Sequence, residues 1–218
     1  MDQAVLTINS RNYGAWSLRG WLLCRFAGLD FVVEAVDSQD PGVRAELLLL
    51  SPSFLVPRLK HGELVVWDTL AMAEYLHELA PGRGLFPEDQ AARAHCRSVS
   101  GEVHSGFANL RSALPMNIKA RHPDFPLWTG ARADVDRIEA IWEECLYRSS
   151  GPFLFGPAPT VADAMFAPVC TRMRTYDVKL GAVASAYTDT MLALPELIEW
   201  TAEAEREQDD VEELEMEF

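Results

Sequence analysis

Asp68 and Thr69 stand where an extended run gives way to helical periodicity, and their side chains suit ligand work as well as capping. Either can cap a helix whose apolar residues Leu70, Met72, Ala73, Leu76 and Leu79 recur near helical spacing. The first amides of such a helix are presented to solvent or to a ligand. Just upstream, Pro57 removes a ladder donor at the start of its strand, which would turn the amide and carbonyl of Val56 outward. Both isomers of the Val56–Pro57 bond remain open from sequence. The other reactive types are dispersed. Cys24, Cys96, Cys145 and Cys170 are widely spaced and form no C-x-x-C pair, so they read as buried structural thiols with no metal site, Cys24 being nearest in sequence to the Asp68 region. His104, in His104-Ser105-Gly106-Phe107, belongs to no ordered triad and reads as a hydrogen-bonded helix residue.

The elements that must position these residues follow from periodicity. Ala4 to Ile8 is a short strand, Asn9 to Gly14 a polar loop, and Ala15 to Ala27 a helix with Leu18, Trp21, Leu22, Leu23 and Phe26 on one face and Gly28 as its stop. Phe31 to Val36 is a second strand, followed by polar residues 37–42 and a short helix ending near Leu50, closed by Ser51-Pro52. Val56 to Lys60 and Leu64 to Trp67 make a hairpin about His61-Gly62. With the helix after Asp68 the order is βαβαββα, its first pair parallel through a crossover and its last an antiparallel hairpin. Turn residues crowd Pro81 to Pro87, and beyond them strand signals fade: Glu88 to Leu114, Asp134 to Ser149, Leu180 to Leu194 and Pro195 to Glu207 read as helices, with a loop over 115–131. Thr160 and Asp163 open a further helix as a near capping box, a folding device with no role in chemistry.

Composition narrows the class. The 218 residues are 49% hydrophobic, enough for buried cores, with no apolar run long enough to span a bilayer and no basic-then-apolar leader, so a cytoplasmic protein without membrane association is expected. Residues 203–218 hold nine acidic groups against Arg206, leaving −8 there and −6 in the remainder of a chain whose net charge is −14. No basic face for nucleic acid is implied, and the tail reads as a solvated extension.

Val56-Pro57, then Asp68-Thr69, then Ala71-Met72-Ala73-Glu74-Tyr75-Leu76, resembles the glutathione-binding half of the glutathione S-transferases. Asn12-Tyr13-Gly14-Ala15-Trp16-Ser17-Leu18-Arg19 resembles the loop of a bacterial branch of that family, and the likeness runs from residue 4 to about 207. It implies an α/β plus all-α fold: a thioredoxin-like glutathione-binding domain over 1–80, a linker over 81–87, an all-helical domain over 88–207 forming the acceptor pocket, and an acidic tail over 208–218. It also implies glutathione as co-substrate, a small electrophile as acceptor, and a homodimer. Leu55, Val56 and Pro57 would lie along the cysteinyl backbone, while Asp68 and Thr69 would hold the γ-glutamyl ammonium and carboxylate at a helix N-terminus.

The chain departs from the family pattern in two places. Gly14 and Ala15 replace loop serines, leaving Ser10, Tyr13 and Ser17 as hydroxyl candidates, with Tyr13 first, and the amides of Gly14 to Trp16 as further donors to a thiolate. Leu55 stands where a lysine would pair with the glycyl carboxylate, and Arg44 or Arg58 would have to compensate. The acceptor pocket implied between the domains draws on Phe107, Arg111 and Met116 and on Arg172, Arg174 and Tyr176, whose cations suit an anionic electrophile. The readings that follow are a conjugating transferase, a glutathione-dependent isomerase or lyase, and a non-catalytic binding module of the same fold.

Overall fold

A computed structural model describes residues 3–36 and 55–207. The short helix expected before Leu50, Arg44 and the acidic tail over 208–218 lie outside the described residues.

β1 (Ala4–Ile8) is the hub of a four-stranded sheet of order β2-β1-β3-β4. It pairs in parallel with β2 (Phe31–Ala35), Ala4 opposite Phe31, and antiparallel with β3 (Arg58–His61), Leu6 opposite Leu59. β3 turns at Glu63 and its neighbours into β4 (Leu64–Trp67). Alternation places Ala4, Leu6, Ile8 and Leu59 in the core.

α1 (Ala15–Ala27) follows β1 and packs against α2 (Thr69–Leu79), with Gly28 closing it at a φ of 67°. The missing side chain at Gly20 lets α1 lie close on Pro57, since a Cβ there would sit 2.6 Å from Cγ of Pro57. The Val56–Pro57 bond is cis, and the ladder begins only at Arg58, so Val56 precedes the paired strand.

After a single 3₁₀ turn at Pro81–Arg83 the chain is helical: α3 (Gln90–Ser105), α4 (Ala108–Ala113), α5 (Thr129–Ser149), α6 (Val161–Thr175), α7 (Ala182–Leu192) and α8 (Pro195–Arg206). α6 is buried along nearly its whole length and packs against α1, α3 and α7, so one core runs through both halves. Two expectations are corrected. The run from Glu88 to Leu114 is broken at Gly106 and Phe107: Phe107 takes a φ of 60°, turning its ring into the core, and the Arg111 side chain caps the carbonyls that α3 leaves open. α5 starts at Thr129 rather than Asp134, because Arg132 links the first turns to Asp136 and Glu139 at 2.7 Å each. The box at the start of α6 is present, with Asp163 accepting from Thr160 N at 2.8 Å.

Candidate functional site

The start of α2 carries the acid and hydroxyl expected of it. Asp68 holds a φ of 68° and a ψ of 129°, a region few residues other than glycine enter, and its Oδ1 caps Leu70 N at 2.8 Å. Strain of this kind collects at ligand clamps. Thr69 is buried at the first helical position. Both face His104, near the end of α3: Nε2 lies 3.2 Å from Asp68 Oδ2 and Nδ1 lies 3.4 Å from Thr69 Oγ1. A histidine read from sequence as an ordinary helix residue is thus hydrogen-bonded across the two halves to the candidate ligand pair.

Trp16 completes the cluster. Its ring meets the His104 ring edge-on at 4.9 Å, with the Arg19 guanidinium over it at 4.3 Å and Arg111 at 5.1 Å. Arg19 is fully buried: Nε donates to Met165 O on α6 at 2.9 Å, Nη2 to Val103 O on α3 at 3.4 Å, and Nη1 has no hydrogen-bond partner among the described residues. Burial, then repulsion from Arg111 and Arg172, pushes the Arg19 cation well below its ordinary pKa, with Asp68 opposing. Burial lowers Arg111 as well, and lowers Arg172 to about 10 with Arg111 adding to the effect. Three cations therefore crowd one junction.

The loop before α1 is less open than its sequence suggests. Ser17 Oγ donates to Asn9 Oδ1 at 2.6 Å and accepts from Asn9 N at 3.2 Å. Ser10 Oγ donates to Glu207 Oε2 at 2.8 Å and accepts from Tyr13 N at 3.1 Å. Two of the three hydroxyl candidates, Ser10 and Ser17, are therefore spent on holding the loop, and Tyr13 is half-buried. The Gly14 and Ala15 amides donate to Ser10 O at 2.9 Å and Tyr13 O at 3.0 Å, so of the three candidate amides Trp16 N is the one with no such backbone bond among the described residues.

The other candidates divide. Arg111 joins the Trp16 cluster, whereas Phe107 and Met116 are core residues. Arg174 answers to Arg121 and Glu205, and Tyr176 packs on His122 and Phe125 while its hydroxyl donates to Pro115 O, so neither belongs to the Trp16 cluster. Arg172 is buried and donates to Leu114 O and Pro168 O. Leu55 is exposed beside Val56. Cys24 is enclosed, and burial pushes its thiol up to about 12, which removes it as a nucleophile at neutral pH. Among the described residues no group of histidines, cysteines and acids could hold a metal ion, and no helix is long and apolar enough to cross a membrane.

Residues 13–79 match the family model for the glutathione S-transferase N-terminal domain and residues 90–203 that for the C-terminal domain. Glutathione S-transferase 1 of Dianthus caryophyllus is 30% identical over 71% of this chain and 70% of its own length. Maleylacetoacetate isomerase of Rattus norvegicus is 25% identical over 78% of each. A solved Burkholderia glutathione transferase homologue with bound glutathione superposes with a TM-score of 0.71 at 19% identity, covering 95% of this chain and 100% of that one. The glutathione-bound maleylacetoacetate isomerase of Anaeromyxobacter dehalogenans gives 0.65 at 22%, covering 96% and 99%. With both domain models in register and the thioredoxin-like and helical halves in place, this chain belongs to the glutathione S-transferase family.

Proposed function

We propose that this chain is a glutathione-dependent enzyme that conjugates glutathione to a small electrophile. The observation that carries the reading is the meeting of Asp68, Thr69 and His104 at the start of α2, beside a cis Val56–Pro57 bond. The donor set fits the tripeptide: a helix start and a hydroxyl for a carboxylate, an acid for an ammonium, and the Val56 backbone outside the ladder for the peptide segment. Glutathione, when bound, supplies the sulfur nucleophile. The chain's part is to orient it, with Tyr13 and Trp16 N as the donors toward sulfur and Ser17 holding their loop. Relatives and solved neighbours that bind glutathione or bear the transferase name support this.

The cation-rich junction of Arg19, Arg111 and Arg172 favours an acceptor with an anionic group, since an anion would offset the repulsion there. The same observation favours a second reading, glutathione-dependent isomerisation, and several relatives are named maleylacetoacetate isomerase. Mass spectrometry of products separates them: glutathione retained in the product means transfer, and glutathione recovered unchanged beside an isomerised acceptor means isomerisation. A protein that binds glutathione but turns over no electrophile would refute both and leave the binding-module reading. Family likeness extends the proposal to a cytoplasmic homodimer acting in detoxification, with the glutathione half over residues 1–80 and the acceptor half over 88–207.

A further inference from the structure

The last described residue is tied to the loop that begins the site. Glu207 follows α8, its amide bonded to Ala204 O at 3.1 Å. Its carboxylate sits against three donors of the loop between β1 and α1: Arg11 N on Oε1 at 3.0 Å, and Asn12 N and Ser10 Oγ on Oε2 at 2.8 Å each. Two consecutive amides and a hydroxyl converge on one carboxylate in an anion-binding concavity of charge-assisted hydrogen bonds. The chain on either side reinforces it. Trp200 Nε1 donates to Arg11 O at 3.0 Å, Lys119 Nζ donates to Glu207 O at 2.6 Å, and Asn12 Oδ1 accepts from Lys119 N at 3.0 Å. The carboxylate reaches the reactive end through one intermediary, because the Ser10 hydroxyl it accepts from also receives Tyr13 N, and Ser10 O receives Gly14 N.

We infer that Glu207 is a positioning residue for the Tyr13 loop, so that the end of the helical half sets the thiol-facing donors of the glutathione half. The inference rests on the glutathione reading for its kinetic consequence, and on the loop geometry alone for its structural one. No serine occupies positions 14 and 15, and the loop that carries Tyr13 and leads to the Trp16 amide is held by Glu207 through Ser10, Arg11 and Asn12.

The test uses the full chain with Glu207→Gln and Glu207→Ala, read first by amide hydrogen exchange with no ligand present. Exchange at Arg11, Asn12 and Tyr13 should speed up by about tenfold or more in the alanine variant, the factor set by losing charge-assisted hydrogen bonds. Glutamine, which keeps one acceptor oxygen, should fall between alanine and wild type, while α6 keeps its protection. Steady-state kinetics with glutathione and a generic aryl halide should show a lower kcat with KM for glutathione within about twofold, because the Val56, Asp68 and Thr69 anchor is untouched. Unchanged loop exchange in Glu207→Ala would overturn the inference, and so would a rise in KM at constant kcat. If the alanine variant loses its helical circular dichroism, the glutamine variant decides by the same local readout. Failure of the wild type to bind glutathione would remove the glutathione reading, while the exchange data would still decide whether the clamp exists.

Discussion

Replacing Thr69 by alanine removes the one buried hydroxyl at the start of α2 and leaves the Asp68 cap and the helix amides in place. A hydroxyl donating to a ligand carboxylate is a charge-assisted bond worth about 1.5–3 kcal/mol, so the dissociation constant for glutathione should rise by about 10- to 100-fold. Binding should not vanish, because the helix terminus still favours an anion. The structural cost is separate and small: one buried methyl group and a 3.4 Å contact to His104 Nδ1, about 1 kcal/mol of stability. Calorimetric titration of glutathione into wild type, Thr69→Ala and Thr69→Ser reads the effect directly, with serine, which keeps the hydroxyl, within about threefold of wild type. A saturable wild-type isotherm reproduced by Thr69→Ala to within about twofold would show that the carboxylate is held elsewhere and refute the site as drawn.

Asp163 accepts from Leu154 N, Thr160 N, Thr160 Oγ and Tyr187 Oη between 2.8 and 3.0 Å in a fully buried setting, so Asp163→Ala should lower the urea-unfolding free energy by about 3–5 kcal/mol without touching the site. An unchanged midpoint would contradict that reading of the box. Burial raises Cys24, Cys96 and Cys145 to about 12 and Cys170 higher still, keeping all four thiols protonated at neutral pH. A thiol reagent should therefore titrate four cysteines only after unfolding, and a fast-reacting thiol in the native protein would show an opening that the packing denies. Introducing a loop serine should work at only one of positions 14 and 15. A Cβ on Gly14 would lie 2.2 Å from Ser10 O and 2.3 Å from Asn9 Oδ1, so Gly14→Ser should displace the loop and lower kcat, whereas Ala15→Ser adds a hydroxyl to an existing Cβ and should raise it. Equal tolerance of both changes would mean that the loop is looser than its hydrogen bonds indicate.

What the sequence disclosed and what it withheld divide by range. The caps of α2 and α6 and the stop at Gly28 are set by neighbours within a few residues and are where capping types placed them, while the hairpin is present with its first strand at Arg58–His61 instead of Val56–Lys60 and its turn one residue later, at Gly62 and Glu63. The break at Gly106 and Phe107 is not local: a run with continuous helical patterning is interrupted because Phe107 finds a core position and Arg111 folds back onto the carbonyls of α3. The same limit hid His104, whose partners stand 35 residues away in the other half, and Glu207, which sequence shows only as one acid in an acidic tail although its carboxylate meets residues nearly 200 positions upstream. Ser10 and Ser17 err in the opposite direction, since a hydroxyl near the site reads as available until its partners are known.

The cations at the junction raise the question of what makes their burial tolerable, since Arg19 and Arg111 form no direct ion pair among the described contacts and Asp68 is the one acid acting on Arg19. Carbonyls supply the answer. Arg19 and Arg111 both donate to Val103 O, and Arg111 also reaches His104 O and Gly106 O, all in the last turn of α3 or just after it, where helix geometry leaves carbonyls unpaired and the macrodipole is negative. The helix end therefore stands in part for a carboxylate: it accepts from Arg111 Nε and Nη2 and from Arg19 Nη2 while contributing only a partial charge. An aspartate in the same place would neutralise the junction and cancel the attraction on which the proposed anionic acceptor depends, whereas carbonyls anchor the arginines and leave most of their charge in force. The same bonds fix the backbone at Val103 and His104, so the contacts that anchor the arginines also hold the imidazole against Asp68 and Thr69.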